Sequence, residues 1–483
     1  MIRDRHANAK LKFLLNYFMI LIVAVLLSAL YVAQIISFEV VLVIVIAVLG
    51  LFPIVEVLVN KKTESFTPRT IIPLTYMLYA LGPLFYKNTF SDNTVNIYLT
   101  LQFLGLVGLI IGLNLPNKTM NGRLATSEEL NNHLLRQTAV VFVILSLVSS
   151  FSELLSFGGI SGFLAVGYGG DRFLLLSNSF MIGGGFQWLI LAGIITWYYG
   201  LKASSKKTKF LGLVIVGTNA LVFTLIGGRS TLVYSAIFAG VIYYYEKKTI
   251  NNKLLVVLLA IGISVAQLYS NARYYLPLGL GATIRSTFAI FMNSPESFVP
   301  LPTNINEFRV PARSLLELIE YGKGDHLFGS SYLTAVGSFL PFINRIFVSL
   351  GVNPSLWHMQ QYYPDILARG GGVGFSPVSE AYMNFGALGV ILHMYFYGRI
   401  INKIFLNYKH KRNVRSLLLY AGALPIFALD GLRINLSSML YKLVRIYLMP
   451  YILYSLVFLF SRQLLKAKGL VTRTTGVSTG CRF

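Results

Sequence analysis

Apolar runs long enough to cross a bilayer recur from Phe13 to Phe460, separated by short polar stretches that carry most of the charge. A hydrocarbon core about 30 Å thick calls for roughly 20 apolar residues in a helix, because only a helix satisfies its own backbone hydrogen bonds there. The pattern predicts twelve spans. The first six run Phe13 to Ile35, Val40 to Val59, Ile71 to Phe85, Val95 to Leu115, Thr138 to Phe157 and Phe180 to Tyr199. The other six run Phe210 to Ile226, Thr231 to Tyr245, Leu254 to Tyr269, Val378 to Tyr397, Leu417 to Leu429 and Val444 to Phe460. The expected fold is an all-α polytopic membrane protein.

The non-membrane mass is lopsided. Residues 1–270 hold spans one to nine, 271–374 form one large outer loop, 375–462 hold the last three spans, and 463–483 are a tail expected to be disordered after Leu470. A loop of that size usually carries function. Within it, Pro311 to Tyr321 reads as an amphipathic helix with proline in its first turn. The segment Leu327 to Leu350 is apolar with a single charge, Arg345, and a crossing there would turn the six basic residues from Arg399 to Arg415 outward. It is therefore expected to be interfacial or re-entrant, with Pro341 dividing it into two short helices.

Composition agrees and excludes other classes. Of 483 residues 55% are apolar and only 12% charged, which rules out a soluble domain with a polar coat. The net charge of +23, from 41 Lys and Arg against 18 Asp and Glu, does not point to nucleic acid, because the basic residues sit in clusters between spans. With the N-terminus in the cytoplasm and the first run kept as a signal anchor, 28 of the 41 fall inside, and both termini are expected to be cytoplasmic. A single cysteine, Cys481, excludes a disulfide framework, a cysteine-ligated metal and CxxC redox chemistry.

The thirteen outward basic residues need another explanation. Arg229, Arg273, Arg369, Arg433, Lys442 and Arg445 lie close to span ends, with Ser438, Lys442 and Arg445 at helical spacing on one face. Cations at that boundary suit an anionic lipid headgroup, especially a diphosphate, although snorkelling to ordinary lipid phosphates also places them there. Ser376, Glu380 and Asn384 repeat every four residues at the start of the tenth span and form a polar stripe facing the protein. Glu380 there either pairs with an outer arginine, acts as a general base, or orients a substrate-binding arginine. His358 is either a base near neutral pH or a hydrogen-bonded interface residue. Asp365, Glu307, Asp171 and Asp430 are weaker base candidates, and Glu56 and Glu153 are expected to pair inside the bundle. No HxxxH, HExxH or DxD-like pair occurs, so neither a metal nor a cofactor is expected.

Several short motifs in order resemble the Wzy-type polymerases of bacterial O-antigen and related repeat-unit polysaccharides. They are Gly227-Gly-Arg-Ser230, Asn271-Ala-Arg-Tyr-Tyr275, Phe339-Leu-Pro341, the run from Gly374 to Gly386 and the turn Asp430-Gly-Leu-Arg433. The resemblance covers Phe210 to Phe460 and carries no residue of the first 200. It implies a membrane-embedded, C-type glycosyltransferase of the bacterial inner membrane that works without metal, with its chemistry on the periplasmic side. It would move a growing glycan from undecaprenyl diphosphate onto an incoming lipid-linked repeat unit. Arg229, Arg273, Arg433 and Arg445 would hold diphosphates, with Arg369 and Lys442 beside them, and Glu380 or His358 would accept the acceptor hydroxyl proton. Tyr274, Tyr275, Tyr362 and Tyr363 would stack on sugars, although the aromatic belt of a membrane boundary explains such residues equally well. A chain-length regulator and a flippase are the implied partners, with membrane lipids around them.

Two other readings compete. An O-antigen ligase uses the same donor and delivers the glycan to lipid A core; the Ser-Pro-x-x-Glu and Asn-Phe-Gly pattern favours the polymerase. A transporter or flippase for the lipid-linked unit would show symmetric halves, broken helices and midplane charges; the sequence has no internal repeat, and its charges avoid span centres apart from Glu56 and Glu153.

Overall fold

The computed structural model describes residues 37–59, 64–82, 89–115, 128–159, 162, 184–225, 229–247, 280–293, 306–322, 327–339, 351–368 and 372–467. Among them there is no strand, and the chain is helical almost throughout. The first and ninth expected spans lie outside the described residues, as do Arg273, Tyr274, Tyr275, Arg369, Asp171 and Pro341.

At the positions of the expected second to eighth spans stand α1 (Phe38–Val59), α2 (Pro68–Ala80), α3 (Asp92–Asn114), α4 (Glu128–Ser156), α5 (Phe186–Lys202), α6 (Lys206–Leu225) and α7 (Arg229–Lys247). The outer-loop region holds α8 (Leu280–Asn293), α9 (Asn306–Tyr321), α10 (Ser330–Phe339), α11 (Pro354–Tyr362) and α12 (Pro364–Ala368). The last part contains α13 (Pro377–Lys411), α14 (Val414–Ala428), α15 (Leu436–Lys442) and α16 (Met449–Ala467), with a π turn at Leu443–Tyr447 before α16. Four helices, Phe38–Val59, Asp92–Asn114, Asn132–Ser156 and Val414–Leu432, are long and apolar enough to cross a membrane. The pair Leu436–Tyr447 and Met449–Leu464, bent by 43°, makes a fifth. By length and composition the described residues therefore supply four to five candidate crossings toward the expected twelve, two of which lie outside the described residues.

Local sequence explains where the helices begin. Thr67, Ser91, Ser376 and Asn413 cap α2, α3, α13 and α14 with side-chain oxygens, and Pro68 and Pro377 fill first-turn positions where a missing N–H costs nothing. The proline expected in the first turn of a helix from Pro311 instead lies inside α9, which starts at Asn306. Apolar side chains such as Ile144, Leu147, Phe151 and Leu155 point outward from α4. That arrangement suits contact with lipid, where outward apolar groups meet no water.

The tightest packing joins α3 to α13. A Cβ added at Gly108 would lie 2.5 Å from the Ile391 carbonyl oxygen, and one at Gly398 would lie 2.6 Å from the Leu109 carbonyl. Glycine at these crossings lets two backbones approach as closely as membrane helices do. The contacts between helix ends fall at two poles. At one, Lys409 pairs with Glu64, Arg69 donates to the Leu113 carbonyl at 3.0 Å, and Lys202 meets Glu246 at 2.7 Å. At the other, Ser91 donates to Glu320 at 2.9 Å, and α9, α10 and α11 gather around the start of α13.

Candidate active site

The start of α13 is a junction. Ser376 caps the helix by accepting from the Ser379 amide at 3.0 Å, and the Ser379 and Ser314 hydroxyls lie 2.8 Å apart, which ties α9 to α13. One turn on, Glu380 is 0% exposed. Its Oε1 accepts from the Ser331 hydroxyl at 2.8 Å and its Oε2 from the Leu436 amide at 2.6 Å. The expected arginine partner is absent among the described residues; α10 and the first residue of α15 take its place. Asn384 completes the stripe: its Nδ2 donates to the Glu380 carbonyl at 2.7 Å and to Ser331 Oγ at 2.8 Å, while its Oδ1 accepts from the Gly329 amide at 2.8 Å. Immediately afterwards the helix breaks at Phe385 and Gly386, where φ of +60° at Gly386 is a conformation glycine adopts without steric cost. The Met383 carbonyl, next to the break, accepts from the Leu327 amide at 2.9 Å. Ser376, Glu380 and Asn384 thus face the protein as their spacing predicts, and they hold the outer-loop helix α10 against a discontinuous helix.

A second centre forms around Asp430, which is also 0% exposed. Tyr234 of α7 donates to Oδ1 at 2.6 Å, Lys442 donates to both oxygens at 3.1 Å, and Arg433 Nε stands 3.9 Å from Oδ1. The side chains of Arg433 and Lys442 are 28% and 32% exposed, so one buried carboxylate presents two cations at the protein surface. A hydrogen bond to a charged group is worth roughly 1.5 to 3 kcal/mol, enough to fix Lys442 despite its flexible stem, while Arg433 is held by charge attraction at longer range. The α7 helix begins at Arg229, little more than a turn before Tyr234; the Arg229 side chain lies outside the described residues. The two centres share α15, whose first amide bonds Glu380 and whose last residue is Lys442, about 9 Å further along the helix axis.

His358 is buried and sits elsewhere in the outer-loop region. Its Nε2 lies 2.9 Å from Glu317 Oε2, and its ring packs against Tyr362 and Phe375 at centroid distances of 5.0 and 5.3 Å. Glu317 also accepts from Arg313 Nε at 2.7 Å and from the Tyr363 hydroxyl. Burial alone would raise its carboxyl, but the hydrogen bonds from His358, Tyr363 and Arg313 outweigh burial and hold it below the usual carboxylate range. Burial and the nearby Glu317 charge push the Tyr362 phenol up to about 12. Lys442 and Arg445 do not share a face as their spacing suggested: the π turn intervenes, Lys442 turns to Asp430, and Arg445 lies over the Tyr441 ring at 5.2 Å.

Three residues of these networks, Glu317, Ser331 and Tyr234, escaped the sequence reading. Glu317 left a signal, since it is a lone carboxylate in the apolar run of α9, with Leu315, Leu316 and Leu318 beside it all buried. Glu153, expected to pair within the bundle, accepts from the Phe186 amide at 2.8 Å. Among the described residues no group of three His, Cys, Asp or Glu side chains is arranged to hold a metal ion. The arrangement instead offers buried carboxyl groups, paired cations and a broken helix at one pole, which suits binding of an anionic group and proton transfer beside it.

No curated protein and no solved structure matches the chain. The family model of the O-antigen polysaccharide polymerase Wzy matches residues 14–468, nearly the whole length, and the chain therefore belongs to that family.

Proposed function

We propose that this chain is a repeat-unit polymerase that transfers the growing glycan from undecaprenyl diphosphate to an incoming undecaprenyl-diphosphate-linked repeat unit at the periplasmic face of the inner membrane. The observation that carries the reading is the Asp430 centre, where one buried carboxylate holds Arg433 and Lys442 at the same pole as Glu380. In the reaction the acceptor hydroxyl oxygen bonds the anomeric carbon of the growing glycan. The bond from that carbon to the diphosphate breaks, its electron pair leaves with undecaprenyl diphosphate, and the hydroxyl proton passes to a base. A diphosphate leaves readily once its charge is neutralised, so cations matter more than a general acid.

Arg433 and Lys442 take the diphosphates, with Arg229, Arg273, Arg369 and Arg445 as further phosphate ligands. Of the two base candidates Glu380 is the better placed, since α15 links it directly to Lys442, and each of its oxygens keeps a second lone pair beyond the bond it already accepts. His358 is clasped by Glu317 and acts in holding the loop helices. Purified protein incubated with synthetic undecaprenyl diphosphate repeat units is expected to produce a ladder of lengthened glycans on a gel. Arg273→Ala and Glu380→Ala are expected to abolish it while membrane insertion persists; normal ladders from both variants would remove these assignments.

A further inference from the structure

Asn435 occupies the position between the two centres, two residues after Arg433 and immediately before the amide that Glu380 binds. It stands at the N-cap of α15 with ordinary cap dihedrals, φ −63° and ψ 159°, yet its side chain makes no capping hydrogen bond. It is 1% exposed, and neither Oδ1 nor Nδ2 has a hydrogen-bond partner. Among the described residues no other side chain has two buried polar atoms left unpaired. Buried carboxamides are almost always satisfied, so a pair of orphaned atoms beside a reactive constellation calls for a partner.

The chemistry of the carboxamide narrows that partner. It offers an acceptor oxygen and an N–H donor together. A phosphate only accepts and an ammonium only donates, so either would leave half of the group unpaired. A hydroxyl or an acetamido group does both. We propose that Asn435 is a substrate-binding residue that takes a hydroxyl or acetamido group of the sugar adjoining the diphosphate, while Arg433 and Lys442 hold the diphosphate itself. The assignment rests on the polymerase reading above. Helix α10 packs on α15 and is tied to Glu380 through Ser331.

The test uses the full chain purified in detergent and two probes, a synthetic undecaprenyl diphosphate repeat unit and undecaprenyl diphosphate without sugar. Asn435→Leu removes both polar atoms at similar volume and should leave Tm equal to or above that of the parent protein. Its affinity for the sugar-bearing probe should fall about tenfold or more, with affinity for the bare diphosphate lipid unchanged. Asn435→Ser, which keeps a hydroxyl, should fall between parent and Asn435→Leu, and its selective loss carries the test should the leucine variant fail to insert. Unchanged affinities, or equal losses for both probes with a lower Tm, overturn the inference and leave the polymerase reading standing. A parent protein that neither binds nor lengthens the sugar-bearing lipid removes both.

Discussion

Glu317 binds Arg313 on its own helix and His358 and Tyr363 at α11, and its carboxyl is held below the usual range by those bonds. A lowered folded-state pKa contributes stability that is fully present above the unfolded value, about 4.3, and is lost as pH falls through the folded value. The parent protein should therefore lose Tm on acidification below about pH 4. Glu317→Gln should be roughly 1.5 to 3 kcal/mol less stable at neutral pH and flatter in acid. Identical acid limbs in thermal melts of the two proteins would exclude this role. Glu380 invites a different substitution, because glutamine preserves its shape and one acceptor oxygen. If Glu380 takes the proton, Glu380→Gln loses ladder formation by about a hundredfold or more while the protein still folds with a lowered Tm, whereas a residue that only ties α10 to α15 would retain most of the rate. The four-residue spacing made Glu380 and its inward stripe legible in the sequence. Its partners were not, since Ser331 and Leu436 lie 49 and 56 positions away and meet it only through tertiary packing.

Helix positions were legible for a plain physical reason: lipid demands an apolar run wherever a helix crosses, and the run is visible residue by residue. Helix ends were less so, because a helix can outlast its apolar stretch. The expected tenth span ended at Tyr397, while α13 continues through a mixed basic and apolar stretch to Lys411. The motif Asn384-Phe-Gly386 was visible, but the break it creates was not, since φ is a property of the folded backbone. Glycine substitutions separate these effects. Gly386→Ala places a side chain at φ +60° and should cost about 1 to 2 kcal/mol. Gly108→Val drives a branched side chain into the Ile391 carbonyl at the α3–α13 crossing and should cost about 1 to 3 kcal/mol or more. Gly217→Ala, in α6 with nothing within 4 Å of the added Cβ, should be neutral or stabilising by up to about 1 kcal/mol. Thermal melts in detergent report all three, and a Gly108→Val protein as stable as Gly217→Ala would refute close backbone packing at that seam.

Across the molecule, one group of basic residues and the candidate chemistry occupy opposite poles. Arg69, Lys202, Arg399 and Lys409 make their contacts at one pole with Leu113, Glu246, Leu115 and Glu64. The Glu380, Asp430 and Glu317 networks gather at the other. Helix α7 runs from Tyr234 beside Asp430 to Glu246 beside Lys202, and α13 runs from Glu380 to Lys409, so both begin at the pole that holds the carboxyl centres. Helix α10, which lies within the apolar segment Leu327 to Leu350, and α11, which follows that segment, both lie at that pole. By the positive-inside rule we propose a direction: the basic pole faces the cytoplasm and the carboxyl centres face the periplasm, as the proposed transfer requires. A thiol scan tests this at two exposed positions, Asn93 at the start of α3 and Ala203 at the end of α5. In a background with Cys481→Ser, Asn93→Cys should react with a membrane-impermeant maleimide in intact spheroplasts. Ala203→Cys should react only after the membrane is opened. The reverse pattern would turn the molecule over and place Arg433, Lys442 and Glu380 on the cytoplasmic side, where the proposed transfer could not occur. Labelling of both in intact spheroplasts would be equally fatal to the two-pole assignment, because α3 and α5 would then present these two ends on one side.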